Sequence, residues 1–223
     1  MDSSLGLFVL NSVLMPGAVL RLHVFEDRYK ALIAHCQERH APFGVLLDRN
    51  GLEVGEGLDP VDVGTTAEIR QVTKLGAGRL YVIAVGVRRF RVERLLAKSP
   101  FWQAAVSYPS EADDNRESPV LRDLALERFR EYLHALLSGC GQELDALELP
   151  ADACASSYLI ADALQVGMKV KQALLEVATP SNRLRAELAL LEEETKRVRM
   201  WRSRRAPQAQ ETPASFSARF SRN

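Results

Sequence analysis

Residues 7–40 read LFVLNSVLMPGAVLRLHVFEDRYKALIAHCQERH. A short apolar run, Leu7–Leu10, leads to a Met15-Pro16-Gly17 turn and a second run, Val19–Phe25. Proline fixes φ and glycine frees it, so this pairing of residues reverses a chain between two strands. The period then changes. Within Phe25–His40, Tyr29, Leu32, Ile33 and Cys36 fall at i, i+3, i+4 and i+7 with charges between them, which is the apolar stripe of an amphipathic helix. The segment therefore predicts strand, turn, strand, helix.

Outward from this stretch, the first half continues in short apolar runs at Phe43–Leu47, Val63–Val72, Leu80–Val87, Phe90–Leu96 and Trp102–Tyr108. Asn50-Gly51, Asp59-Pro60 and Gly76-Ala77-Gly78 punctuate them, and Leu75–Val87 reads as a hairpin whose glycines supply positive φ. Many short strands with Gly/Pro turns suggest a barrel-like or sandwich lobe rather than a parallel sheet.

Ser110–Pro119 is acidic and lacks large apolar residues, which marks a linker or exposed loop. Helical periodicity follows from Ser118-Pro119 to about Ser138, where Ser138-Gly139-Cys140-Gly141 stops it. Further helices are expected over about 152–166 and 168–178, with a fourth opened by Thr179-Pro180. In the last of these, Glu192–Lys196 and Glu193–Arg197 are spaced to pair. The expected division is a β-rich lobe (1–109), an acidic linker (110–118), a four-helix bundle (119–201) and a disordered Arg-rich tail (202–223).

The 223 residues balance 29 Lys+Arg against 29 Asp+Glu, with 47% hydrophobic residues, an ordinary globular composition. The balance is uneven: 202–223 carry five Arg against Glu211, which leaves the first 201 residues with 24 bases and 28 acids. A mildly acidic body does not suit a dedicated nucleic-acid binder. No run reaches the roughly 18 to 20 apolar residues that cross a bilayer. Leu5–Met15 lacks the basic flank of a signal peptide, since the first cation is Arg21, so a cytoplasmic location is expected. Cys36, Cys140 and Cys154 form no CxxC pair, which argues against disulfides and zinc knuckles.

Chemistry-bearing motifs are missing. There is no Gly-Lys-Ser/Thr loop, no GxSxG elbow and no GxGxxG after a strand. Gly55-Glu56-Gly57 precedes no helix that would aim its dipole at a phosphate. His35 and His40 are five apart, so their rings diverge by roughly 140° on a helix and do not share a metal. His23 and His134 stand alone, and Cys36 lies on the apolar stripe as a core thiol. The sequence predicts no catalytic residues, no cofactor and no metal.

The order of motifs is more informative. Leu7-Phe8-Val9-Leu10, Val13-Leu14-Met15-Pro16-Gly17 and Leu20-Arg21-Leu22-His23-Val24-Phe25-Glu26-Asp27-Arg28-Tyr29 resemble the opening of the Lon protease substrate-binding (N-terminal) domain. The similarity continues through Phe43-Gly44-Val45, Val63–Ile69 and Gly86–Val92 to Arg183-Leu184, covering about residues 5–200. Val9 and Arg21 stand where the family often has proline, and Met15 where it has an aromatic residue. The resemblance implies an α+β fold: a β-rich, PUA-like pseudo-barrel lobe with one inserted helix, followed by a C-terminal four-helix bundle. It implies a non-catalytic recognition module, since the ATPase and protease modules of a complete Lon protease have no counterpart in this sequence.

The expected function is recognition of unfolded or exposed polypeptide segments, as an adaptor or chaperone-like protein, with a protease as a possible partner and no membrane. An apolar groove between the lobes and strand pairing at a sheet edge would hold the peptide. Candidate peptide-binding residues are Phe25, Tyr29, Phe101 and Trp102, each weighed against plain core packing. The alternative is an RNA-binding module on the PUA-like lobe. Strand alternation puts Arg89 and Arg91 on one face and Arg88 and Arg94 on the other, so Arg89 and Arg91 are its candidates. An enzyme assembled from scattered residues is the third and weakest reading.

Overall fold

The computed structural model describes residues 4–51, 57–111, 117–137 and 149–205. The elements are β1 (Ser4–Leu10), β2 (Val19–Val24), α1 (Asp27–Arg39), β3 (Phe43–Leu47), β4 (Val63–Lys74), β5 (Leu80–Ala97) and β6 (Trp102–Ser107). Then follow α2 (Ser118–Leu137), α3 (Ala153–Ala163), α4 (Met168–Glu176) and α5 (Pro180–Arg205). The helix inserted among the strands and the four later helices lie where the periodicity predicts them.

The strands form one mixed sheet in the order β2-β5-β4-β3-β1-β6. All five residues of β3 are buried, as suits an uninterrupted apolar run in the sheet interior. β1 and β3 pair in parallel, with β2 and α1 forming the crossover that a parallel pair requires.

The sheet is not a barrel, which corrects the expected pseudo-barrel. In a closed barrel every strand has two neighbours, whereas β2 pairs with β5 alone among the described residues and leaves a free edge. The cause is the length of β5. Its first part pairs with β2, and only its last part, from Arg91 to Ala97, meets β6, through two register shifts. The fold is an α+β domain with a mixed sheet and a C-terminal helix cluster.

The expected strands Leu80–Val87 and Phe90–Leu96 are one strand, because a bulge carries β5 through Val87 and Arg88. At the β4–β5 turn the positive φ falls on Ala77 and Gly78, not on Gly76. Helix α5 runs on to Arg205, so residues 202–205 of the expected tail are helical. Residues 55–56, 112–116, the helix stop at Ser138–Gly141 with Cys140, and the tail from 206 lie outside the described residues.

Two apolar clusters hold the elements together. One lies beneath α1 and joins Tyr29, Leu32 and Ile33 to Phe8, Phe43 and Val82. The other spans sheet and helices, joining Leu7 and Phe90 to Phe129, Tyr132, Ile160 and Leu184. At β5 these demands meet. Phe90 fills the space over Gly44 and Gly64, where an added Cβ would come within 2.7 and 3.1 Å of its ring.

Candidate functional site

A cavity of about 700 Å³ lies between the start of β2, the middle of β5 and α3. Its sheet wall begins at the Met15-Pro16-Gly17 turn, where Gly17 has φ +85°. The Gly17 N–H donates to Gly86 O (2.8 Å) and the Gly86 N–H to Ala18 O (2.9 Å), clamping the turn to β5. A Cβ on Gly86 would lie 2.4 Å from Met15 O, so this close approach needs glycine.

Just beyond, Val87 and Arg88 bulge opposite Thr66. The Thr66 hydroxyl donates to Arg88 O (3.2 Å) and accepts from Arg88 N (3.3 Å), satisfying the disrupted ladder. The bulge leaves Val87 and Arg88 on the cavity wall, with the Arg88 guanidinium 3.4 Å from the Tyr108 ring centroid.

The facing wall is α3. Asp152 caps it by accepting from Ala155 N (2.8 Å). Ala155, Leu159 and Asp162 then recur at helical spacing along the cavity, with Cys154 and Tyr158 beside them. Val19 and Val87 are both exposed large apolar side chains, so the groove carries uncovered apolar surface.

The two walls are held in register by a buried ionic cluster centred on Glu111. Its Oε1 lies 3.0 Å from Arg89 Nε and accepts from Tyr158 OH (2.6 Å), and Oε2 accepts from Arg183 Nη2 (3.2 Å) and Cys154 Sγ (3.5 Å). The Arg89 Nε–H is not aimed at the carboxylate, so that contact is an ion pair rather than a hydrogen bond. Arg183 also donates to Leu174 O, Val177 O and Ser157 Oγ, and stacks on Tyr158 with Cζ 3.8 Å from the ring centroid. Arg89 donates to the carbonyls of Leu175, Val177 and Ala178, fastening β5 to the α4–α5 connection.

Burial dominates the ionisation of this cluster. It raises the Tyr158 phenol, with Arg183 opposing and the hydrogen bond to Glu111 adding to the rise. Burial and then the Glu111 charge push the Cys154 thiol up to about 11, so Cys154 is a neutral thiol at physiological pH. Among the described residues, no group of three or more His, Cys, Asp and Glu is placed to hold a metal ion. The donors present can exclude water, orient a chain and bind charge.

The structure does not gather the four sequence candidates into the groove. Phe25 is 53% exposed where the chain enters α1. Tyr29 is 5% exposed, stacked on Phe8 at 3.7 Å, with its hydroxyl donating to Val9 O. Phe101 is 4% exposed, packed under α1 near His35. Trp102 opens β6 opposite Leu7, half-buried, with Lys98 Nζ 5.0 Å from its ring centroid. Arg89 is 4% exposed and committed to internal partners, while Arg91 is exposed.

Of the groove residues, Arg21 and Arg88 lie within the Leu20–Tyr29 and Gly86–Val92 motifs, whereas Val19, Leu159 and Glu111 carry no motif of their own. The other local signal is the alternation of Val19, Arg21 and His23 against Leu20, Leu22 and Val24, which puts the first set on the face away from the α1 core.

Residues 4–193 match the family described as the ATP-dependent protease La (LON) substrate-binding domain. Lon protease 2 of Myxococcus xanthus is 29% identical over 188 residues, covering 81% of this chain and 22% of that protein. The Lon protease of Anaeromyxobacter dehalogenans is 30% identical with the same coverages. The chain thus spans about a fifth of the length of the curated relatives it matches. Among solved structures, a Lon N-terminal domain protein from Xanthomonas campestris shares 29% identity at a TM-score of 0.61, covering 84% of this chain and 98% of that one. The N-terminal domain of Mycobacterium avium complex Lon protease shares the fold at a TM-score of 0.65 and 20% identity, covering 86% of this chain and 99% of that one. These matches fall on the non-catalytic domain and not on the protease core.

Proposed function

Because the chain belongs to the Lon protease substrate-binding domain family, we propose that it is a recognition module that holds unfolded or exposed polypeptide segments in the groove between its sheet and α3. The observation that carries this reading is the cavity itself. Its apolar side chains, Val19 on β2, Val87 on β5, and Ala155 and Leu159 on α3, come from two walls fixed relative to each other by the Glu111 cluster. A rigid pair of walls binds a flexible chain with less ordering cost on the protein side. Adaptor work for a protease, in a cytoplasmic setting, fits this reading. No helix among the described residues is long and apolar enough to cross a membrane.

The test is capture of a reduced, denatured client by the folded protein and by Leu159→Asp. Leu159 is only partly buried, so the variant should keep its circular dichroism spectrum while losing roughly tenfold or more in client affinity, as desolvated anchors do. Equal client affinity in the folded variant would remove the groove from the site.

A further inference from the structure

The groove carries one feature that apolar capture does not use. The edge of β2 that borders it is free, since β2 pairs with β5 alone among the described residues. Val19 and Arg21 alternate on the groove side of that strand, two residues apart, while Leu20, Leu22 and Val24 pack toward α1. Arg21 is exposed and forms no ion pair with any described carboxylate. The α3 wall has the opposite sign, with Asp152 and Asp162. Asp152 is occupied as the helix cap, which leaves Asp162 facing into the groove.

We infer that the occupant is an extended segment that adds to the free edge of β2, with an acidic residue opposite Arg21 and an aliphatic residue two positions away opposite Val19. The inference rests on the polypeptide-binding reading and narrows it to a class of sequence. In an added strand, side chains alternate between faces, so those beside Val19 and Arg21 enter the groove together and the intervening one does not. Directly opposed side chains set the preference: opposite charges and aliphatic pairs stabilise, and like charges destabilise. Main-chain hydrogen bonds to β2 supply affinity that is indifferent to sequence, and the two groove-facing positions supply the choice. A basic residue opposite Arg21 meets a like charge, and Asp162 on the far wall does not lie in the strand pair that would relieve it.

The experiment uses fluorescein-labelled ten-residue peptides, acetylated and amidated so that no terminal carboxylate contributes. One carries Asp and Ile two apart among Thr and Val, a second has Lys for Asp, and a third has N-methyl groups on alternate residues. Fluorescence anisotropy is read with the parent protein, with Arg21→Glu and with Leu159→Asp. The Asp peptide should bind roughly fivefold tighter than the Lys peptide. Arg21→Glu, at an exposed site, should reverse that order, and N-methylation should abolish binding. Equal affinities for the Asp and Lys peptides, both lost in Leu159→Asp, would overturn the inference and leave the groove reading standing. Full binding of the N-methylated peptide would overturn strand addition. Failure of all peptides and of a denatured client to bind would overturn both. Tighter Arg21-dependent binding of a single-stranded RNA than of any peptide would overturn both in favour of nucleic acid.

Discussion

Glu111 and Arg183 are 72 residues apart in the chain, yet the Glu111 carboxylate accepts from Arg183 Nη2 at 3.2 Å, and the Arg183 side chain is wholly buried. One carboxylate compensates two buried guanidinium groups, Arg183 and Arg89, each of which also satisfies backbone carbonyls left open at the α4–α5 connection. The groove's shape depends on this meeting, because α3, α5, β5 and the chain after β6 converge there.

Removing Arg183 should therefore cost far more than a surface charge. Arg183→Ala leaves Glu111 half-compensated and removes the hydrogen bonds to Leu174 O, Ser157 Oγ, Tyr158 OH and Val177 O, and urea unfolding should show a loss of about 3–5 kcal/mol. Arg183→Lys should recover little, since an ammonium cannot reach Leu174 O, Ser157 Oγ and Glu111 in one plane. A stability within about 1 kcal/mol of the parent for Arg183→Ala would show the cluster to be ornamental.

Glu187 gives the pH dependence. It is buried on α5 with neither carboxylate oxygen hydrogen-bonded among the described residues, and burial holds its carboxyl well above the ordinary range, with Arg183 opposing. The folded protein thus keeps a proton that the unfolded chain releases near the ordinary glutamate pKa. This contribution to stability is complete below that pKa and falls as pH rises, until the folded carboxyl ionises too. The slope is about 1.4 kcal/mol per pH unit within that window. Glu187→Gln should flatten the curve and stabilise the protein at pH 7 while changing little at pH 4; an unchanged pH profile would count against a buried neutral carboxyl.

Cys154 offers a reporter in the groove. With its thiol pushed up to about 11, alkylation by iodoacetamide should be slow at pH 7.5 and quicken about tenfold per pH unit through pH 10. Glu111→Gln removes a neighbouring negative charge and should speed the reaction at fixed pH. Peptide mapping by mass spectrometry assigns the modified thiol. Rapid labelling of Cys154 at neutral pH in the folded protein would contradict its placement beside Glu111.

Trp102→Ala separates packing from recognition. Trp102 is absent from the groove walls and packs at β6 against the core shared by sheet and helices. The substitution should lower stability by about 2–4 kcal/mol, less than a fully buried aromatic deletion, and leave the affinity of the folded protein for a denatured client within twofold. A tenfold loss of affinity in a folded variant would bring Trp102 back into the site.

Gly86→Ala tests the turn that starts the groove. The new Cβ would meet Met15 O at 2.4 Å, a backbone atom that cannot swing aside. Loss of about 1–3 kcal/mol is expected, with weakened client capture because Val19 and Val87 shift together. A neutral substitution would mean that the Met15 turn is free to move.

Much of this protein was legible from local sequence. The inserted helix α1, the strand runs and the starts of α2 to α5 follow from periodicity, proline and glycine, which act within a few residues. The Glu192–Lys196 and Glu193–Arg197 pairs form as their four-residue spacing implies. The ordered motifs from Leu7 to Arg183 carried the family. Tertiary structure alone decided the mixed sheet with β2 at a free edge, because that arrangement depends on how far β5 reaches past β2 and which partner claims each part of it. It alone turned Arg89 inward, since a one-residue bulge opposite Thr66 resets every facing that strict alternation assigns. And it alone made Glu111, one acid in a polar stretch, the tie between two walls, because its partners Arg89, Tyr158 and Arg183 lie on three separate elements and no local pattern records a meeting across that distance.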